Sequence, residues 1–277
     1  MCRWMAYSGG SIRLQDLLFE PKDNLIDQSM SSRSAETPTN GDGFGVGWYG
    51  KWERPGLFHS IRPAWNDSNL RDLAANIESP LFMAHVRATS LSTVQETNCH
   101  PFRYNHWLFV HNGEIFEIEK FRRNLLMAVD PKYFENILGS TDSELMFHLA
   151  LSFGLEQNPI EGMARMVGFV ESTGKKHGVP ESMWMTVGLS DGKTLWAFRY
   201  ASDGNAPTLF HSREVSELIG INPAIQDRLS ANTRVVVSEP IGKFRDMWAE
   251  VPQGSSITIK DGSIEHHSFQ AMTIQSV

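Results

Sequence analysis

The chain opens Met1-Cys2-Arg3-Trp4-Met5-Ala6-Tyr7, and two readings of Cys2 compete from the start. One is an ordinary small residue entering a first buried strand over residues 2–8. The other follows removal of Met1, which a residue as small as cysteine permits. Cys2 then carries a thiol with an ordinary pKa of about 8.5 and a free α-amine at about 7.7–8.0, so a nucleophile sits beside a base poised near neutrality. Position alone favours the plain strand residue, because a lone cysteine is only a candidate nucleophile. The rest of the chain has to decide between them.

The 277 residues suffice for one large domain or two small ones with a substantial core. Apolar residues make up 41% and charged residues 21%, the balance of a soluble globular protein. The formal net charge of -7 argues against broad nucleic-acid binding. With only Cys2 and Cys99 present, a disulfide-built secreted scaffold is excluded. The start has no apolar core of signal-peptide length, and no apolar run approaches the roughly 20 residues of a membrane span. Composition therefore predicts a cytoplasmic protein with reduced thiols and neither nucleic-acid nor membrane partners.

Working outward, Ile12, Leu14, Leu17 and Leu18 are close to helical spacing over residues 12–19. Residues 27–42 are polar and read as a long loop of the kind that covers a site. Gly43-Phe44-Gly45-Val46-Gly47-Trp48-Tyr49 reads as a glycine-rich strand. Residues 81–87 and 107–111 read as strands, the second running into Asn112-Gly113, a tight-turn signal. Helices are predicted over residues 68–78, 117–128, 142–154 and 160–176. Asp191-Gly192 and Asp261-Gly262 mark two hairpins in a strand-rich last third. Strands in runs, with helices grouped between them, predict antiparallel sheets packed with helices.

Several motifs carry chemistry. His85-Val86-Arg87-Ala88-Thr89 ends a strand with an arginine fork, suited to bidentate binding of a carboxylate or to a surface salt bridge. His111-Asn112-Gly113-Glu114 offers a side-chain amide beside a glycine N–H, either an oxyanion hole or a hairpin turn. Ser140-Thr141-Asp142-Ser143-Glu144 fits a helix capping box at Thr141 and Glu144, while Asp142 is placed to meet an ammonium. Cys99-His100 invites a dyad, but adjacent residues of an extended segment face opposite ways, so a structural role is predicted. Gly45-x-Gly47-x-x-Gly50 is followed by Lys51-Trp52-Glu53-Arg54-Pro55-Gly56, which starts no helix. A dinucleotide site is therefore rejected, and the glycines are read as allowing close backbone approach. The histidines show no recognised ligand spacing, and no metal site is assigned.

In order, Cys2, Asn40-Gly41-Asp42-Gly43-Phe44-Gly45, His85-Val86-Arg87-Ala88-Thr89, His111-Asn112-Gly113-Glu114 and Thr141-Asp142-Ser143-Glu144 resemble the glutaminase domain of class II glutamine amidotransferases, the N-terminal nucleophile type. The opening Met-Cys-Arg and Ser238-Glu239-Pro240 are most similar to its stand-alone, YafJ-type members. The resemblance implies an α+β fold, a four-layer αββα sandwich with two antiparallel sheets, as one domain over residues 1–277. It implies Cys2 as nucleophile with its α-amine as base, and Asn112 with the Gly113 N–H as oxyanion hole. Arg87 would hold the α-carboxylate and Asp142 the α-ammonium, with Thr89 lining the pocket. Glutamine or another γ-glutamyl small molecule is the implied substrate, with no cofactor or metal. A separate acceptor or synthetase subunit would take the ammonia, since no acceptor domain is evident. A γ-glutamyl peptide or thiol-compound hydrolase using the same site is the alternative. A non-catalytic glutamine sensor with Met1 retained is a reading of another class.

Overall fold

The computed structural model describes residues 2–31, 39–89, 93–213, 222–242 and 245–273. Strands β1 (Arg3–Arg13), β2 (Phe44–Trp48), β3 (Gly56–Ser60), β4 (Glu78–Val86), β9 (Phe210–Ser212), β10 (Arg234–Val237) and β11 (Trp248–Glu250) form one sheet, ordered β11-β9-β10-β1-β4-β2-β3. Strands β5 (Phe102–Tyr104), β6 (Trp107–Ile115), β7 (Met183–Ser190), β8 (Thr194–Ala201), β12 (Ser255–Lys260) and β13 (Ser263–Ser268) form the other, ordered β13-β12-β8-β7-β6-β5. Every pairing in both sheets is antiparallel.

Three apolar clusters separate four layers. Trp4, Ala6, Leu81, Met83, Leu108 and Val110 lie in the cluster between the sheets. Met5, Tyr7, Phe82 and Val46, on the opposite face of the first sheet, meet helices α1 (Gln15–Leu18), α2 (Leu25–Met30) and α3 (Ser68–Asn76). Phe109, Val187 and Leu189 of the second sheet meet α4 (Arg122–Met127), α5 (Pro131–Phe134), α6 (Asp142–Ser152) and α7 (Pro159–Lys176). The central strands thus alternate between two different apolar layers, which is why they read as continuous apolar runs. The αββα sandwich and the two Asp-Gly hairpins are as predicted. Among the described residues, no helix is long and apolar enough to cross a membrane.

Four local expectations are corrected. Residues 12–19 are not one helix: Ile12 and Arg13 still pair with Ser79 and Glu78, after a register shift between Ser8 and Ile12. The predicted helix over 117–128 is broken, because Glu117 is left-handed at φ 47° and a short 3-10 turn precedes α4. The polar stretch 27–42 includes the end of α2, while its residues 32–38 lie outside the described residues. Asn112-Gly113 is no turn: β6 continues through it, with Asn112 opposite Thr186 and Gly113 opposite Met185.

Helix α6 starts as its sequence demands. The Thr141 hydroxyl accepts from the Glu144 N–H at 3.1 Å. Glu144 does not complete the reciprocal box. Its carboxylate instead accepts the Leu138 and Gly139 N–H groups at 2.9 and 2.7 Å, tying the preceding turn to the helix. Thr141→Ala is expected to cost about 1 kcal/mol of stability, read from a denaturant midpoint at unchanged slope.

Candidate active site

The site is assembled by strand alternation. In β1, Trp4 and Ala6 face the inter-sheet layer. Alternation puts Cys2 on that side and Arg3 on the other. In β4, Leu81 and Met83 face the same layer, so His85 and Arg87 follow them. Arg3 pairs with Val86, and one further step sets Cys2 against Arg87. In β6, Leu108 and Val110 define the layer, so Asn112 and Glu114 continue it. Residues from three strands and two sheets therefore converge at one end of the inter-sheet core. The Asp142 carboxylate accepts the Ile115 N–H at 2.9 Å, which sets the start of α6 against the same end of β6.

The Cys2 thiol donates to the Ala88 carbonyl at 3.4 Å. Burial pushes its pKa up, against the opposing pull of the Ala88 backbone and the Arg87 charge. A thiol held protonated in this way needs a base when it attacks. Arg87 is buried, and its guanidinium donates to the Asp42 and Thr93 carbonyls, both at 3.2 Å. The Thr89 N–H donates to the Asp42 carboxylate at 2.9 Å. Asp142 accepts the Ile115 N–H at 2.9 Å and the Ser143 N–H at 2.8 Å. Its carboxylate is thereby fixed between the end of β6 and the start of α6.

Asn112 is 4% exposed, and its side-chain oxygen is buried without a partner. Such a group is costly unless something outside the fold completes its surroundings. Beside it, Gly113 has φ +154°, and a Cβ there would strike the Trp184 carbonyl and sit 2.6 Å from His111 Nε2. Glycine is thus required by the strand that packs against it. Gly45 meets the same need, since a Cβ there would strike the His100 carbonyl. That close approach is the role predicted for the glycine-rich strand.

The Cys99-His100 pair is no dyad. Burial pushes the Cys99 thiol up to about 11, and its sulfur donates to the Ser60 and Gln95 carbonyls. His100 stacks on His85 with ring centroids 4.0 Å apart, and burial holds both below the usual imidazole range, His85 at about 3. Among the described residues, no group of three His, Cys, Asp or Glu side chains is arranged to hold a metal. A cavity of about 900 Å³ is lined by His59, Arg103, Glu144 and His148, among others, and by none of Cys2, Arg87, Asn112 and Asp142. Position in the sheets, and not cavity size, identifies the candidate site.

One residue escaped the sequence reading. Glu114 shares the face of Asn112, and burial, followed by the Asp142 and Glu119 charges, pushes its carboxyl up. Asp142, which accepts the N–H of the next residue, Ile115, meets the same end of β6. The period-2 count from Asn112 would have found Glu114, had the Asn-Gly pair not been read as a turn.

The αββα sandwich, with Cys2 leading into a central strand, is the fold of the N-terminal nucleophile hydrolases. The chain belongs to the class II glutamine amidotransferases: residues 23–276 match the family described as Glutamine amidotransferases class-II. It is 34% identical to the Saccharomyces cerevisiae "Probable glutamine amidotransferase DUG3", over 96% of this chain and 84% of that one. It is 30% identical to the γ-glutamyl-hercynylcysteine sulfoxide hydrolase of Mycolicibacterium smegmatis over 41% of this chain and 51% of that one. A solved glutamine aminotransferase class-II domain protein from Silicibacter pomeroyi superposes with a TM-score of 0.73 at 32% identity, covering 97% of this chain and 99% of that one. The phosphoribosylpyrophosphate amidotransferase of Bacillus subtilis shares the fold, with a TM-score of 0.64 at 13% identity over 98% of this chain and 50% of that one.

Proposed function

We propose that residues 1–277 act as one glutaminase domain that hydrolyses the side-chain amide of glutamine to glutamate and ammonia through a thioester on Cys2. The observation carrying this reading is the strand register and alternation that turn Cys2, Arg87 and Asn112 toward one end of the inter-sheet layer, with Asp142 bonded to the end of β6. Met1, whose removal the reading requires, lies outside the described residues.

The α-amine of the freed Cys2 takes the thiol proton as sulfur attacks the amide carbon. The S–C bond forms, and the carbonyl π electrons move onto oxygen. Asn112 Nδ2 and the Gly113 N–H hold that oxyanion. As the oxygen electrons return, the C–N bond breaks, and the leaving nitrogen takes the proton from the α-ammonium. Water, deprotonated by the same amine, then attacks the thioester, and the thiol is regenerated with release of glutamate. Arg87 pairs with the substrate α-carboxylate, and Asp142, joined by Glu114, pairs with its α-ammonium. Thr89 lines the pocket. Opposite charges placed apart orient the γ-amide toward Cys2.

Arg87→Ala is expected to raise KM for glutamine strongly, with a smaller fall in kcat, because the guanidinium contacts the carboxylate in ground and transition states alike. An unchanged KM would remove Arg87 from this role.

A second reading is supported by the similarity to the γ-glutamyl-hercynylcysteine sulfoxide hydrolase. A γ-glutamyl peptide or thiol compound presents the same head to Arg87 and Asp142. Glutamate release from glutamine and from a panel of γ-glutamyl compounds tests both readings. Preference for glutamine supports the first, with a separate acceptor or synthetase subunit as the destination of its ammonia. Preference for a larger γ-glutamyl compound replaces it with the second. No glutamate from any compound defeats both. The charge pattern and apolar content fit a cytoplasmic setting.

A further inference from the structure

Cys2, once terminal, has one covalent neighbour, and chain ends fray unless tied down. The neighbour is Arg3, which alternation places on the opposite face of β1 from Cys2. Arg3 is 2% exposed and, among the described residues, engages three separate segments. Nε and Nη2 donate to one Glu239 carboxylate oxygen at 3.0 and 2.8 Å. Nη1 donates to the Asn40 side-chain oxygen at 2.7 Å and to the Gln28 carbonyl at 3.1 Å. On the Glu239 side, Ser238 pairs with Trp4 in both directions, N–H to carbonyl and N–H to hydroxyl, each at 3.0 Å. The Ser238-Glu239 motif thereby clamps residues 3 and 4 from one side.

Asn40 reaches the opposite end of the site. It is fully buried, and two residues on, Asp42 is bound to the Arg87 segment by both backbone and side chain. The Asp42 N–H donates to the Arg87 carbonyl at 3.0 Å, and the Arg87 N–H to the Gly43 carbonyl at 2.8 Å. The Asp42 carbonyl accepts from the Arg87 guanidinium, and its carboxylate accepts the Thr89 N–H. One short segment, 40–43, is therefore bonded to Arg3 at one end and to Arg87 and Thr89 at the other.

We propose that Glu239, Arg3 and the Asn40–Gly43 segment form a brace that fixes the distance between the nucleophile and the substrate-carboxylate site. Glu239, Arg3 and Asn40 act as positioning residues. They touch no substrate, and they determine where the Cys2 sulfur stands relative to Arg87. The brace rests on the roles proposed above only for its catalytic consequence, since the mechanical coupling is independent of them.

The test uses Asn40→Ala, Asn40→Asp, which keeps an oxygen acceptor for Arg3, and Glu239→Gln, which keeps the volume and an acceptor oxygen while removing the charge. Amide hydrogen exchange is read at Trp4 and Thr89, on opposite ends of the brace. In Asn40→Ala, both amides are expected to exchange about tenfold faster or more, the factor that loss of a hydrogen bond to a charged group corresponds to. Asn40→Asp is expected to restore both, and Glu239→Gln to accelerate both by severalfold. Thr89 exchange unchanged in folded Asn40→Ala or Glu239→Gln protein overturns the brace. In the same variants, kcat on the preferred γ-glutamyl substrate is expected to fall about tenfold or more, while alkylation of Cys2 by iodoacetamide, which involves no substrate carboxylate, changes less than twofold. Equal falls in both rates overturn the claim of spacing and point to the thiol itself. If the wild-type protein releases glutamate from nothing, the glutaminase reading fails, and amide exchange still decides the brace.

Discussion

Cys2→Ala is expected to abolish glutamate release, by about 10⁶ in kcat on the scale at which loss of a covalent nucleophile is felt. Nothing else among the described residues can replace the sulfur. Cys99 is buried, its thiol is pushed up to about 11, and it bonds to carbonyls of other segments. Stability should change by less than about 1 kcal/mol, because the folded state loses one sulfur contact of 3.4 Å and no apolar packing of consequence. Glutamate release above a few percent of wild type, in protein with an unchanged thermal midpoint, would exclude a Cys2 thioester. Intact mass belongs to the same experiment: active wild-type protein should lack Met1. An active form that retains it would leave the thiol as nucleophile but remove the α-amine as base. The burial that raises the Cys2 pKa makes such a base necessary.

Asn112→Ala is the second large effect, again on activity and not on stability. Loss of one oxyanion donor costs about 10²–10³ in turnover. The contact exists fully only in the transition state, so kcat and kcat/KM should fall together while KM stays nearly constant. Stability is expected to hold or rise, because the substitution removes a buried oxygen without a hydrogen-bond partner. A side chain kept for packing or strand pairing behaves in the reverse way, with lower stability and unchanged turnover. Steady-state kinetics and a denaturant titration on one preparation separate the two. Turnover within threefold of wild type would take Asn112 out of the oxyanion hole.

Much of the architecture was legible because local patterns agreed with the tertiary answer. The helices over Ser68–Asn76, Asp142–Ser152 and Pro159–Lys176 carry cap residues at Asp67, Thr141 and Asn158 whose side chains accept the expected backbone N–H groups. The misreadings have a common cause. Asn-Gly at 112–113 has the composition of a turn, yet the strand runs on because Trp184 of β7 approaches too closely for any other residue at 113. Helical spacing over residues 12–19 straddles the end of β1 and a one-turn helix, because pairing of Ile12 with Ser79 outweighs a local periodicity. Glu114 stayed hidden behind the same turn reading.

The sequence by itself determined which residue types were available for the chemistry, and in what order. One cysteine lies at position 2, an arginine at a strand end, an amide beside a glycine, and an aspartate at a helix start. These depend on spacing along the chain, which is what a sequence records. Only the tertiary structure decided that they meet. Their convergence follows from strand alternation in two sheets placed face to face, and from the segment 40–43 bonded to both Arg3 and Arg87. Those contacts join residues tens to hundreds of positions apart, and local propensity does not encode which face of one sheet is set against another.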